Sequence, residues 1–272
     1  MPELPEVETL RVDLEREIRG RTLRRSAVLQ ERMTRGQPGA SIVQRLKGQR
    51  VEALNRRGKY LLIQLCSTDT LLIHRGMSGN MVLSETSELA GPHGHLVMEL
   101  DDGRWLTLYD PRGFGEIRVL TSEELEGRCA RMGPEPLGPG FTADYLLARW
   151  SGRTAPLKAL LLDQAMVAGL GNIYSDECLW AAGLHPTRPA GSVTRAEAER
   201  LQHEVQRVLT EAIAHRGTTF SDAFDLYGKP GSHGDHLKVF HRAPGPCPRC
   251  AGPLAQTRVS NRGTSFCPTC QH

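Results

Sequence analysis

What the chain lacks sets the first limits. From His236 to His272 there is no aspartate or glutamate, although Lys238, Arg242, Arg249, Arg258 and Arg262 fall in the same stretch. A segment of one sign suits a polyanionic partner. No apolar run approaches the ~20 residues of a membrane-spanning helix, and no secretory leader is recognisable, so the expected setting is a reducing cytoplasm, which disfavours disulfides. Internal repeats and low-complexity tracts are also missing, which sets aside solenoids and disordered arrays.

The 272 residues suffice for one large or two ordinary domains plus a small appendage. A net charge of +3 is too small to argue for nucleic acid by itself, but its distribution is uneven. The first eighteen residues carry Glu3, Glu6, Glu8, Asp13, Glu15 and Glu17, whereas positions 45–59 carry Arg45, Lys47, Arg50, Arg56, Arg57 and Lys59 against Glu52 alone.

Cys247-Pro-Arg-Cys250 and Cys267-Pro-Thr-Cys270 stand sixteen residues apart, the spacing of a four-thiolate zinc site closed on two tight knuckles. Two disulfides or four unrelated cysteines are the competing readings, and the reducing setting weakens the first. Between the pairs lie two strand-like stretches broken at Asn261-Arg262-Gly263, so the metal is expected to pin a β-hairpin with Arg262 at its tip. A ribbon this small cannot bury a core without its ion, which makes one zinc structural rather than catalytic. Cys66, Cys129 and Cys178 are isolated, which suits buried thiols in a reducing cytoplasm more than a disulfide framework.

Val7, Leu10, Leu14 and Ile18 recur at helical spacing, predicting an amphipathic helix from about Pro5. Short β-rich runs then follow at Lys59 to Leu65, Thr70 to His74, Asn80 to Leu83, Leu96 to Leu100 and Trp105 to Tyr109, the last two flanking Asp101-Asp102-Gly103. This pattern predicts an antiparallel sandwich or barrel. Gly133-Pro-Glu-Pro-Leu-Gly-Pro-Gly140 reads as a linker. Beyond it, Tyr145 to Trp150, Leu157 to Val167, Ile173 to Ala182 and Thr194 to His215 read as helices. The expected organisation is therefore α+β and multidomain: residues 1–132 a β domain, 133–140 a linker, 141–235 helical, and 236–272 the four-cysteine finger. Within the helical part, Gly169-Leu-Gly171-Asn172 joins two helices. Its exposed amides and following helix N-terminus can form an anion site, or the glycines can simply cap an ordinary helical corner.

Met1-Pro2-Glu3-Leu4-Pro5-Glu6-Val7-Glu8-Thr9, Arg57-Gly58-Lys59-Tyr60, His74-Arg75-Gly76-Met77-Ser78-Gly79, Asp110-Pro111-Arg112-Gly113-Phe114-Gly115, the Gly169 to Tyr174 turn and the cysteine ribbon together resemble the bacterial formamidopyrimidine-DNA glycosylases, in the family's order and over essentially the whole chain. The resemblance implies an N-terminal antiparallel β-sandwich, a helix-two-turns-helix domain and a C-terminal zinc finger, with DNA in the cleft between the domains. It implies a bifunctional base-excision enzyme that removes oxidised purines such as 8-oxoguanine and formamidopyrimidines and then nicks the abasic strand. Its partner would be double-stranded DNA carrying such lesions or abasic sites. The protein would act as a monomer associated with the nucleoid, with no redox or nucleotide cofactor.

The chemistry can also be reasoned from the residues. Loss of Met1 before a small residue would leave Pro2 as a terminal secondary amine, whose free-base fraction at neutrality exceeds that of lysine by roughly two powers of ten. Otherwise Pro2 is an ordinary proline at the start of a helix. Glu3 could move protons beside it if its surroundings raise its pKa, or be a favourable acid at a helix N-terminus. Lys59 alone would be a solvated strand end; the resemblance places it at the lesion as a proton donor in β-elimination. Arg262 would likewise grip phosphate and assist δ-elimination. An enzyme that attacks a stacked nucleotide must rotate it out and fill the gap. Met77 and Phe114 would be the wedges, and Arg112 would bond the orphaned base. His93, Arg153, Lys158 and Asn172 fall on family positions that hold phosphates. Residues 217–231 match the family's loop over the extruded base. The chain departs from the family at Gly113, where a second arginine is common, at Pro92-His93-Gly94-His95 and at Val239-Phe240-His241-Arg242. Flexibility at Gly113 is expected to loosen discrimination. Two alternatives remain: an endonuclease VIII-like enzyme acting on oxidised pyrimidines, and a zinc protein that binds damage without cutting.

Overall fold

The computed structural model describes residues 1–86, 91–220 and 223–272. They form two compact units, Met1–Ala130 with His215–Gly234, and Arg131–Ala214 with Asp235–His272.

The first unit opens with α1 (Leu4–Ile18), and the four apolar residues that predicted it are each no more than 1% exposed. Its start is fixed by a capping box made from two glutamates: the Glu3 N–H donates to Glu6 Oε2 at 2.7 Å, and the Glu3 side chain accepts from the Glu6 backbone. Two four-stranded antiparallel sheets follow. One has the order β1 (Leu23–Val28), β6 (Gly94–Leu100), β7 (Trp105–Tyr109), β5 (Asn80–Ser84); the other has the order β2 (Val51–Arg57), β3 (Tyr60–Leu65), β4 (Thr70–His74), β8 (Glu116–Leu120). Met81, Leu96, Met98, Leu106 and Leu108 from the first sheet share a core with Leu61, Ile63, Leu71, Ile73, Ile117 and Val119 from the second and with the apolar stripe of α1. Leu62, Leu72 and Leu120 point the other way and are covered by Leu125 of α3 (Ser122–Cys129). Burial on both faces explains why β3 and β4 read as continuous apolar runs rather than clean alternation. A helix the strand pattern had not shown, α2 (Gly39–Leu46), adds Ile42 and Leu46 to the main core.

Segment His215–Gly234 belongs to this unit, although it lies within the expected helical domain of residues 141–235. Polar groups and one apolar anchor draw it in. Glu6 Oε1 accepts from Thr218 N at 2.7 Å, Arg216 pairs with Asp13 and Asp225 at 2.6 Å each, and Leu226 is fully buried in the sandwich core.

The second unit contains α4 (Ala143–Trp150), α5 (Leu157–Leu162), α6 (Asn172–Ala182) and α7 (Arg195–Ala214). Helix α5 stops five residues before the predicted Val167 because local side chains take over its backbone. Asp163 Oδ1 accepts from Ala165 N, while Gln164 bonds Leu162 O, Leu170 O and Gly169 N. The finger hairpin is β9 (Ala255–Val259) and β10 (Arg262–Phe266). Its turn is Ser260-Asn261, with φ of 50° and 59°, the geometry of a two-residue type I′ loop. The expected break at residues 261–263 is therefore shifted, and Arg262 is the first residue of β10, opposite Val259. Among the described residues no helix is long and apolar enough to cross a membrane.

Leu10 is fully buried between α1 and the sandwich. Leu10→Ala should cost about 2–5 kcal/mol, read as a fall in the urea midpoint of the sandwich transition.

Candidate active site and zinc centre

The start of α1 places Pro2 and Glu3 in buried positions while Met1 is 43% exposed. Lys59 sits in a two-residue β2–β3 loop, where Gly58 adopts φ +56° and Arg57 pairs with Tyr60. Glycine takes that left-handed conformation without steric cost. The loop folds the lysine inward until it is only 6% exposed, which is not a solvated strand end. The Met1 α-amine lies below its ordinary pKa, chiefly through burial; Glu3 and Glu6 pull it up, and Lys59 and Arg112 push it down. The amine and these four side chains thus share one electrostatic neighbourhood.

His74 belongs to it too. It pairs with Tyr60 across β3 and β4, its ring lies 5.0 Å from the Tyr60 ring, and its Nδ1 accepts from Gly76 N at 3.0 Å. Burial, then Lys59, Arg128 and Arg35, lower its pKa to about 4. It is therefore neutral, with its proton on Nε2. His74 carries no expected role from the sequence. A polar ring ending the Leu71 to Ile73 run beside Lys59 was the available signal.

The expected wedge residues meet around Asp110, which is fully buried. Its Oδ1 accepts from Ser78 Oγ at 2.6 Å and Arg112 N at 3.2 Å, its Oδ2 accepts from Gly115 N at 3.3 Å, and its N–H donates to His93 O at 2.9 Å. The Asp110 carboxylate thereby ties the Met77 turn to the Arg112 to Phe114 turn, and its backbone N–H adds His93. Phe114 is 59% exposed, and the Arg112 guanidinium lies 5.8 Å from its ring. Met77 is half-buried, and the His93 ring meets Tyr109 edge-on at 5.5 Å. At Gly113 the geometry runs against the expected flexibility. A Cβ there would lie 1.9 Å from Arg32 Nε, so the Arg32 guanidinium already occupies that space. Arg32 also donates to Pro111 O at 3.4 Å, and Arg35 bonds Phe114 O at 3.0 Å and Gly115 O at 2.8 Å. Two arginines from another segment brace the loop.

In the second unit, Lys158 departs from the phosphate contact expected of it. It is fully buried, and its Nζ meets Gly263 O at 3.0 Å, Thr264 Oγ1 at 2.8 Å and Asp176 Oδ1 at 2.7 Å. An ammonium has three donors, and all three are directed inward. Asn172 Nδ2 also donates to Gly263 O at 3.1 Å, and Asp176 Oδ2 accepts from Ser265 N at 3.0 Å. These side chains hold the hairpin backbone just past Arg262, which is itself exposed. Burial pushes the Asp176 carboxyl up to about 7, against the pull of Lys158. Arg153 stands apart and exposed, donating to Arg149 O at 2.9 Å.

Glu177, unremarked in the sequence, is 4% exposed and accepts from Lys238, Val239 and Phe240 N at 2.7, 2.9 and 2.8 Å. It docks the segment leading into the finger on α6. The sulfur atoms of Cys247, Cys250, Cys267 and Cys270 lie within 4.8 Å of one another, with Cys250 and Cys267 at 3.5 Å and Cys247 and Cys270 at 4.0 Å. Zinc–thiolate bonds of ~2.3 Å in a tetrahedron separate sulfurs by ~3.8 Å, so the four thiols fit one zinc. Trp180 Nε1 and Arg249 N each donate to Cys247 Sγ at 3.4 Å, a second shell that orients this ligand. Val239 and Leu254 pack around the site, too few to make a core alone.

Three family descriptions match the chain in succession: the formamidopyrimidine-DNA glycosylase N-terminal domain at residues 1–117, its H2TH domain at residues 132–223, and the zinc finger found in FPG and IleRS at residues 245–272. The formamidopyrimidine-DNA glycosylase of Chloroflexus aggregans is 42% identical, covering 100% of this chain and 98% of the relative. That of Symbiobacterium thermophilum is 45% identical, with 100% and 89% covered. Among solved structures, Lactococcus lactis Fpg bound to DNA containing an abasic site superposes with a TM-score of 0.93 at 30% identity, covering 99% of each chain. Thermus thermophilus Fpg gives 0.88 at 39% identity, covering 99% and 98%.

Two measurements test the centre. An imidazole that titrates near 6.5 when unfolded and near 4 when folded leaves the unfolded chain holding more protons between those values, so stability falls as pH falls through that window. The loss attributable to His74 reaches at most about 3 kcal/mol. Urea unfolding at pH 7 and pH 4.5 should show a smaller difference for His74→Gln than for the parent; equal differences would mean that the native ring is charged. Removing the metal with a strong chelator should release one zinc ion per chain and weaken DNA binding by about tenfold or more, as read by gel shift. Unchanged binding would separate the finger from DNA.

Proposed function

The chain belongs to the formamidopyrimidine-DNA glycosylase family of DNA-repair enzymes, which combine glycosylase and abasic-site lyase activity, and we propose that it excises oxidised purines by covalent catalysis from Pro2. The observation that carries this reading is the burial of the chain start beside Glu3, Lys59 and Arg112, where the α-amine is already depressed. The lesion class draws support from the relatives: the Lactococcus lactis protein is solved with DNA containing Fapy-dG and with abasic DNA.

Removal of Met1 converts the Pro2 nitrogen from an inert amide into a secondary amine, and the cations that depress the Met1 amine favour its free base. Attack on C1′ forms the N–C1′ bond as the glycosidic bond breaks. Glu3 takes the proton that the Pro2 nitrogen sheds after attack and delivers it to the ring oxygen as the C1′–O bond opens, while the departing base takes its proton from water; the resulting iminium stays cationic because its nitrogen bears no proton to lose. The cation acidifies C2′; loss of that proton expels the 3′ phosphate, and a second elimination expels the 5′ phosphate. Lys59 donates a proton during β-elimination, and Arg262 stabilises the phosphate lost in δ-elimination. Met77 and Phe114 fill the space left by the extruded nucleotide, Arg112 bonds the orphaned base, and His93, Arg153 and Asn172 hold phosphates. Lys158 serves instead to position the hairpin that bears Arg262. Zinc supplies structure alone: a closed four-thiolate site has no open position for chemistry. The protein acts as a monomer on damaged duplex DNA.

Borohydride reduction during turnover tests the route. The trimmed parent should become covalently attached to a duplex containing 8-oxoguanine, and Pro2→Gly should lose at least about two orders of magnitude in trapping and strand cleavage. Base release without any reducible adduct would eliminate Pro2 as the nucleophile. A clear preference for oxidised pyrimidines would move the enzyme to the endonuclease VIII-like class.

A further inference from the structure

Arg75 is 2% exposed, yet among the described residues it meets no carboxylate directly. Its planar fork is spread over neutral acceptors from separate stretches of the first unit. Nε donates to Gly79 O at 2.6 Å, Nη2 to Asn80 Oδ1 at 2.7 Å and to Phe224 O at 3.1 Å, and Nη1 to Glu6 O at 3.4 Å. Asn80 completes the arrangement: Oδ1 also accepts from Phe224 N at 2.9 Å, and Nδ2 donates to Ser78 O at 3.2 Å. The backbone of Phe224 is thus held at both its N–H and its C=O by the same two side chains that hold the turn bearing Met77. That turn has no slack, since a Cβ at Gly79 would fall 2.3 Å from Arg75 O and one at Gly76 would fall 2.6 Å from Gly115 N. Burial lowers the Arg75 pKa to about 10, with Glu6 and Asp225 opposing, so the group is charged at neutrality.

Burying such a charge is costly, and an apolar side chain would fill the space more cheaply. What a guanidinium adds is direction: five donors in a fixed plane set several segments in one register.

We propose that the Arg75–Asn80 pair is a positioning device for lesion excision, locking the Met77 turn to the segment around Phe224 so that strand wedging and seating of the extruded base occur together. The proposal rests on the wedge role given to Met77 above and on the match of residues 217–231 to the family's loop over the extruded base. Arg75 touches no reacting atom. An abasic nucleotide has no base to extract or seat, so its cleavage makes little demand on this register.

The test compares single-turnover rates on one duplex carrying 8-oxoguanine and the same duplex carrying a preformed abasic site. Arg75→Leu and Asn80→Ala should slow base excision by about tenfold to a hundredfold, while abasic cleavage and borohydride trapping on the abasic duplex stay within about threefold of the parent. The double variant should be no slower than Arg75→Leu, because both substitutions break one network. Equal losses on both substrates would reveal a merely structural role and overturn the proposal, as would unchanged excision in both variants. Thermal unfolding is recorded for each protein; should Arg75→Leu not fold, Asn80→Ala and Arg75→Lys decide by the same criterion. A parent that traps on neither duplex overturns the Pro2 reading and this proposal with it. A parent that traps, with variants indistinguishable from it, overturns this proposal alone.

Discussion

The Glu6 carboxylate is the constraint on which the proposed catalytic end of the molecule depends. One oxygen accepts from Glu3 N and the other from Thr218 N, each at 2.7 Å. A residue that would ordinarily serve as one half of a local capping box therefore also fastens a segment more than two hundred residues away in sequence. Gly217 shows how tight the junction is: its φ is +79°, and a Cβ there would lie 2.7 Å from Glu6 Oε1. Loss of the Glu6 carboxylate would take this acceptor from both buried N–H donors and loosen the chain start. Pro2 can act as a placed nucleophile only if the first turn of α1 cannot fray, and helix termini fray unless they are capped and packed.

Around that fixed point the charges have complementary tasks. Glu3 and Glu6 favour the protonated amine, whereas burial, Lys59 and Arg112 favour the free base. A nucleophile at the end of a chain needs the second set to prevail near neutrality without a barrier to moving protons. His74 extends the same field in a neutral form, so it adds a donor at Nε2 without adding a further positive charge beside Lys59.

The parts of this design legible in sequence were those that repeat with a period or sit at a fixed spacing. The 3.6-residue stripe of α1, the strand Thr70–His74, the hairpin strand Trp105–Tyr109 and the cysteine pairs were all readable that way. What escaped was set by contacts between distant residues. The end of α5 was missed because Asp163 and Gln164 divert its backbone. Segment 215–234 packs in the first unit through Glu6, Asp13 and the core site for Leu226, contacts that its own composition does not disclose. Part of the loop expected over the extruded base, Ser221 and Asp222, lies outside the described residues. Gly113 is a related case: a glycine read alone suggests freedom, and Arg32 fills the volume that its missing side chain leaves.

Lys158 carries the same lesson into the second unit and shows what the finger requires. A thiolate-bound zinc fixes its knuckles but does not determine where the far end of the β9–β10 hairpin sits. Asn172 and Lys158 supply that control by converging on Gly263 O, while Asp176 takes the Ser265 N–H. A buried lysine–aspartate pair is a poor source of net stability, because desolvation offsets most of its attraction. Its raised carboxyl pKa reports that penalty. The pair is better understood as directional. An exposed arginine on a short ribbon has many rotamers, and anchoring the backbone one residue beyond Arg262 restricts the region its guanidinium can sweep. The family position that resembled a phosphate contact thus becomes, in this chain, the support for the residue proposed to make one.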